Sequence, residues 1–271
     1  MYEFLLRLLL LNGNVTDISE QNTNSTNLSN STAVLPLVRT PRIIGGYATD
    51  AVHLPYLINI SKFGVFTCGG ALITQKCVIT AAHCTKDAVA SDFSVRGGIT
   101  YLSEKRNIRR VRQFFVSPLY DKKALDYDVA ILQLSSLLEG RDIETIQLSD
   151  KNITTGEYIR ISGWGLTKEG AFKPANKMHT VKVRVIPQNE CMELYKGYRN
   201  ISDAMFCASV PGKKDACSAD SGGPAVAHGE LVGIVSWGRG KECGRASSPG
   251  VYVRITTVRT WIDSILNKHC Y

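Results

Sequence analysis

Apolar and charged residues alternate along Thr180-Val-Lys-Val-Arg-Val-Ile186 and Val251-Tyr-Val-Arg-Ile255, the period-two signature of strands. Short apolar runs separated by turn residues recur along the chain, which predicts an all-β protein. Val258, Trp261, Ile262, Ile265 and Leu266 follow a 3.6-residue spacing instead and predict one amphipathic helix near the C-terminus. Residues 12 to 40 are rich in Asn, Ser and Thr with few large apolar side chains, so they bury too little surface to hold a fold. Ahead of them, Phe4 to Leu11 is apolar but broken by Arg7 and preceded by no basic stretch. It is too short to cross a membrane, as is every other apolar segment, since a spanning helix needs roughly 20 such residues.

The 229 residues from 43 to 271 suit one domain, or two small barrels sharing a cleft. The formal net charge of +8 belongs to this part, because Arg7, Arg39 and Arg42 are offset by Glu3, Asp17 and Glu20. No nucleic-acid motif accompanies the charge, which predicts a solubilising surface or, at most, acidic partners. The cluster Lys105, Arg106, Arg109, Arg110 and Arg112 reads either as a solvated strand face or as an accessory site for a polyanion. Eight cysteines without a Cys-x-x-Cys pair argue for disulfides in an oxidising compartment over a zinc site. With them, Phe4 to Leu11 reads as an imperfect secretion signal, the alternative being a cytoplasmic protein. Glycosylation triplets begin at Asn14, Asn24, Asn27 and Asn30 in the leader, and at Asn59, Asn152 and Asn200 beyond it.

The chemistry concentrates in Asp215-Ala-Cys-Ser-Ala-Asp-Ser-Gly-Gly-Pro224, which places Ser221 in a loop tied down by a cysteine. A serine hydroxyl needs a base to take its proton and an acid to orient that base. His83 in Thr80-Ala-Ala-His-Cys84 and Asp128 at the head of Asp128-Val-Ala-Ile-Leu132 supply both. Asp126 is the rival acid. The order His, Asp, Ser excludes the α/β-hydrolase plan, in which the serine comes first and Gly-x-Ser-x-Gly surrounds it; here Ala219 occupies the matching position.

These segments interleave with Ile43-Ile-Gly-Gly46, Cys68-Gly-Gly-Ala-Leu-Ile73, Gly163-Trp-Gly165, Met205-Phe-Cys-Ala208, Ser236-Trp-Gly238, Pro249-Gly-Val-Tyr252 and Trp261-Ile262. Over residues 43 to 271 the chain thus resembles the trypsin-like branch of the chymotrypsin family of serine proteases, and its wording is similar to secreted arthropod members. The resemblance implies two antiparallel six-stranded β-barrels, an active site between them and a C-terminal helix. It implies a triad of His83, Asp128 and Ser221, with the backbone N–H groups of Ala219 and Ser221 as the oxyanion hole. Asp215 matches the acid at the base of the primary pocket, Gly238 and Gly250 its walls, and Ala216 replaces a hydroxyl that helps to bind lysine. Ser236, Trp237 and Gly238 are implied to offer backbone groups to the substrate.

The resemblance also makes residues 1 to 42 a signal and activation pro-segment. Cleavage between Arg42 and Ile43 would free an α-amino group that inserts to pair with Asp220. It pairs Cys68 with Cys84, Cys191 with Cys207 and Cys217 with Cys243. Cys77, where a tryptophan is usual, and Cys270, just past the terminal helix, are left either as a fourth bridge or as two free thiols. The implied partners are protein or peptide substrates with Arg or Lys at the cut bond, an activating protease and protein inhibitors. A secreted monomer is expected, with no nucleic acid, no membrane span, no cofactor and no metal, since Glu104 is the only carboxylate between Gly97 and Lys105.

One departure bears on activity. The family has glycine where this chain has Ala219, and a Cβ disfavours the backbone conformation that aims the oxyanion donor. Two readings follow: a working protease slowed by Ala219, or a non-catalytic homologue that binds partners in a proteolytic cascade.

Overall fold

The computed structural model describes residues 46–166, 173–209, 221–239 and 247–271. A two-residue strand, β1 (Tyr47–Ala48), comes first. The next six strands are β2 (Leu57–Lys62), β3 (Val65–Thr74), β4 (Cys77–Thr80), β5 (Phe93–Gly97), β6 (Ile108–Val116) and β7 (Ala130–Leu134), and they close an antiparallel barrel in the order β2-β3-β4-β7-β6-β5. The second barrel uses β8 (Tyr158–Gly163), β9 (His179–Val185), β10 (Met205–Ser209), β11 (Pro224–Ala227), β12 (Glu230–Trp237) and β13 (Gly250–Arg254). Its order is β9-β10-β13-β12-β11-β8, closed by the β8–β9 pairing, with β1 paired to the first residues of β9, His179 and Thr180.

The alternation in β9 is seen as burial: Val181, Val183 and Val185 face the barrel interior while Lys182 and Arg184 are exposed. The alternation in β13 is lost. Val251, Tyr252 and Val253 are all buried because both faces of that strand are covered; Tyr252 stacks on Phe206 inside the barrel, while Val253 packs with the core that reaches the terminal helix. That helix, α2 (Ile255–His269), buries Ile255, Val258, Ile262 and Leu266 along one stripe, with Trp261 and Ile265 packed at its margin. Removing a side chain such as Ile262 down to Ala costs about 2–5 kcal/mol in a site of this kind.

A shorter helix, α1 (Gln188–Tyr195), was not expected from the pattern. Pro187 precedes it, a position proline tolerates because no N–H is needed there. It is pinned by the buried pair Cys191 and Tyr195, one turn apart, and by the bridge from Cys191 to Cys207 on β10.

Cys77 on β4 is joined to Cys270 at the end of α2, across a sequence separation of 193 residues. A link that closes so long a loop removes much of the unfolded chain's freedom. Replacing both cysteines by Ala should lower stability by about 4 kcal/mol and Tm by roughly 10 °C, readable by calorimetry. An unchanged Tm would show that packing alone holds the helix. Among the described residues no helix is long and apolar enough to cross a membrane.

Candidate active site

His83 sits in a short 3-10 turn, Ala82–Thr85, directly after β4, and Asp128 lies two residues before β7, the strand paired with β4. The hairpin-like neighbourhood of β4 and β7 therefore delivers imidazole and carboxylate to the same end of the first barrel. Asp128 is fully buried, whereas the His83 side chain is 25% exposed. A buried carboxylate is costly unless its lone pairs are occupied. Three donors occupy them: His83 Nδ1–H to Oδ2 at 2.7 Å, the His83 backbone N–H to Oδ1 at 2.8 Å, and the Ser236 hydroxyl to Oδ2 at 2.6 Å. With Asp128 ionised, Nδ1 must carry the proton, which leaves Nε2 as the basic atom facing outward. Asp126 is elsewhere engaged. Its Oδ1 accepts from the Ser202 hydroxyl at 2.6 Å and from the Tyr127 N–H at 2.9 Å.

Ser221 opens the tight turn before β11. Its carbonyl accepts the N–H of Gly69 on β3 at 2.9 Å and lies 3.8 Å from Cys84 Sγ, which is itself 3.8 Å from His83 Nε2. The following backbone is tied to β12 by Gly222 N–H to Val235 O at 2.8 Å and by Val235 N–H to Gly223 O at 2.9 Å. Gly222 has φ +79°, and a Cβ there would meet Thr80 Oγ1 and stand 2.6 Å from the Gly69 carbonyl, so no other residue fits where the two barrels touch. No hydrogen bond joins the Ser221 hydroxyl to His83 in this structure. The backbone brings the two residues together.

Cys68 Sγ, Cys84 Sγ and a His83 ring nitrogen lie within 4.8 Å of one another, a spacing that would suit a metal ion. Both sulfurs are consumed in the Cys68–Cys84 disulfide, and a metal needs thiolates. Of the other expected site residues, Arg42, Ile43, Asp215, Ala216, Cys217, Ala219, Asp220 and Cys243 lie outside the described residues. Gly238 is exposed, and a Cβ there would meet nothing within 4 Å. Gly250 instead backs onto the Tyr252 hydroxyl, 2.7 Å from where its Cβ would stand.

Several side-chain roles near the site carry no sequence signal of their own. Ser236 was expected to contribute backbone groups, yet its hydroxyl is one of the three donors on Asp128. Trp237 forms a shelf: Tyr195 meets it edge-on at 4.8 Å and the Arg199 guanidinium lies over its ring at 4.9 Å. Arg239 lies over Tyr198 at 5.1 Å and donates to the Leu194 carbonyl at 3.2 Å. The Tyr120 hydroxyl is pushed up to about 12, first by burial and then by the charge of Asp128, with Arg199 opposing. Only Cys191, which anchors α1, hints in the sequence that Tyr195 to Arg199 are held in place. In the basic cluster, Arg106 pairs with Glu104 at 2.7 Å and reaches Asp142 at 4.0 Å, while Arg109 donates to the Leu137 carbonyl at 2.7 Å. Part of that charge is thus satisfied locally.

Comparison with known proteins agrees with this geometry. The family model described as Trypsin matches residues 43–262. Seminase of Drosophila melanogaster is 42% identical over 231 residues, covering 84% of this chain and 83% of that protein. Trypsin alpha of the same species is 36% identical over 229 residues, covering 84% of this chain and 88% of that protein. Among solved structures, neuropsin, a serine protease expressed in the limbic system of mouse brain, superposes with a TM-score of 0.75 at 30% identity, covering 82% of this chain and 98% of that one. A family match over residues 43–262, together with a relative 42% identical over 84% of this chain, shows that the chain belongs to the trypsin family of serine endopeptidases.

Proposed function

We propose that this chain is the secreted zymogen of an endopeptidase that cuts after Arg or Lys and is activated by cleavage between Arg42 and Ile43. The observation that carries the reading is the Asp128 carboxylate with three donors, one of them His83 Nδ1–H at 2.7 Å, since that pairing fixes the imidazole as a base. In the reaction, Ser221 Oγ attacks the scissile carbonyl while His83 Nε2 takes its proton and later hands it to the leaving amine. Asp128 holds the ring and stabilises its cation. The Ser221–His83 contact is expected to close when substrate fills the groove, because hydrogen bonds of this type tighten in the Michaelis complex.

Residues 1 to 42 serve as signal and pro-segment, and residues 43 to 271 as the protease domain. The freed Ile43 ammonium pairs with Asp220 and orders the pocket and the oxyanion donors of Ala219 and Ser221. Asp215 at the pocket floor selects a cationic side chain, because only a cation compensates a desolvated carboxylate. Ala216 beside it supplies no hydroxyl for lysine, which favours Arg. Arg199 and Arg239 on the Trp237 shelf add positive charge where the upstream part of a substrate would lie, and so favour acidic residues there.

The test is turnover of an arginyl amide after cleavage at Arg42. Asp215→Ser should lower kcat/KM for that substrate by about 10²–10³-fold, the cost of a pocket cation left without its carboxylate. A second reading, a non-catalytic homologue that binds partners, is favoured by Ala219. No turnover before or after Ala219→Gly would decide for it.

A further inference from the structure

Three glycosylation triplets in the described part of the chain share the same middle residue: Asn59-Ile60-Ser61, Asn152-Ile153-Thr154 and Asn200-Ile201-Ser202. Chemically they are equivalent acceptors, and burial separates them. Along β2 all three residues are enclosed: Asn59 is 0%, Ile60 1% and Ser61 2% exposed. Asn59 Oδ1 there accepts from the Ser61 hydroxyl at 2.9 Å and from Arg96 Nε and Nη2 at 3.2 and 3.1 Å. Its Nδ2 is buried as well, so a sugar on that atom would have to occupy the first barrel. The other two triplets point their isoleucines inward and their asparagines outward. Ile153 and Ile201 are each 7% exposed and belong to apolar clusters, whereas Asn152 and Asn200 are exposed.

The two exposed asparagines stand in different places. Asn152 is tied to the first turn of α2, its Oδ1 accepting from the Thr256 hydroxyl, which leaves Nδ2, the atom that carries a glycan, unspent. Asn200 follows Arg199, whose guanidinium lies on Trp237, and Trp237 follows Ser236, the residue bonded to the catalytic-site carboxylate. Two residues further, the Ser202 hydroxyl holds Asp126, two residues from Asp128. Asn200 therefore sits between Arg199 and Ser202, two residues whose side chains reach toward the site.

We propose that Asn200 carries an N-linked glycan that borders the substrate groove and slows the approach of protein-sized ligands, while the like triplet at Asn59 stays bare. The proposal rests on the secretory reading given above. The donor is a lipid-pyrophosphate-linked oligosaccharide. Asn200 Nδ2 forms a bond to the anomeric carbon, the carbon–oxygen bond to the pyrophosphate breaks, the amide loses one proton and the lipid pyrophosphate leaves. A short peptide substrate passes beneath such a glycan; a folded inhibitor or protein substrate must displace it, which slows association.

The full chain, secreted from a eukaryotic cell, is treated with a peptide N-glycosidase in heavy-oxygen water, which marks every occupied asparagine as labelled aspartate for peptide mass spectrometry. Label at Asn200 with none at Asn59 is expected, and Asn152 and the leader asparagines report whether the chain met the transferase. Label at Asn59, or a bare Asn200 beside a labelled Asn152 or leader site, overturns the proposal alone. No label anywhere overturns it together with the secretory reading. In the second arm, Asn200→Gln and enzymatic removal of the glycan from the folded protein should each leave arginyl-amide turnover unchanged and speed association of a protein inhibitor several-fold. Equal association rates would remove the gating role.

Discussion

Asp128→Asn should lower kcat by about 10⁴-fold, as the same exchange does in the family's reference protease, and the bonding of this chain says why. If the new Nδ2 took the place of Oδ1 it would face the His83 backbone N–H, donor against donor. The amide therefore turns its oxygen to that N–H and places Nδ2 where Oδ2 stood, 2.7 Å from His83 Nδ1. Nδ1 must then accept, and the ring proton moves to Nε2, the atom that has to receive the proton of Ser221. The Ser236 hydroxyl can rotate to suit the amide, so the fold survives the exchange. Because the tautomer matters to the chemical step more than to substrate binding, kcat should fall while KM changes little. Steady-state kinetics on the cleaved enzyme checks this. A fall of less than about tenfold would mean that Asp128 does not set the tautomer.

Ala219→Gly should act in the opposite direction and raise kcat by about 10²–10³-fold, the loss that follows removal of one oxyanion donor elsewhere. The developing negative charge on the carbonyl oxygen exists only in the transition state, so the gain belongs to kcat and leaves substrate affinity nearly unchanged. A methyl group at this place is expected to work through the backbone, because a Cβ disfavours the conformation that glycine adopts freely. The pair of rates with one arginyl amide decides it. Equal rates would show that the loop keeps its N–H aimed despite the Cβ, and the low activity expected of the natural chain would have no basis.

The segments around His83, Asp128 and Ser221 are legible in the sequence because their chemistry demands particular side chains next to particular turns. Strand β9 and the terminal helix are legible for a different reason: each keeps one face in water, so its burial is written as a period, whereas the pair of barrels follows only from the family resemblance. Where both faces are covered the period vanishes, as in β13, and α1 is too short for one to develop. Contacts that need distant strands to converge leave no local trace. The Ser236 hydroxyl meets Asp128 across 108 residues of chain, and nothing near either residue announces it. Asn59 makes the converse point, since its triplet reads as a modification site while its side chain is a structural acceptor for Arg96 inside the first barrel. Which of Asp126 and Asp128 lies against the imidazole is likewise a tertiary fact: the Ser202 hydroxyl bonds the one and the His83 ring the other.

The central claim is that His83 and Asp128 turn the Ser221 hydroxyl into a nucleophile once the chain is cut after Arg42. It is tested most directly by labelling with a fluorophosphonate and locating the label by peptide mapping, in the natural chain and in Ala219→Gly. The account predicts label on Ser221 in both after cleavage, faster with glycine, and label slowed by orders of magnitude in His83→Ala and in the uncleaved chain. Label absent from Ser221 in both cleaved proteins, or appearing at the same rate without His83, would contradict it.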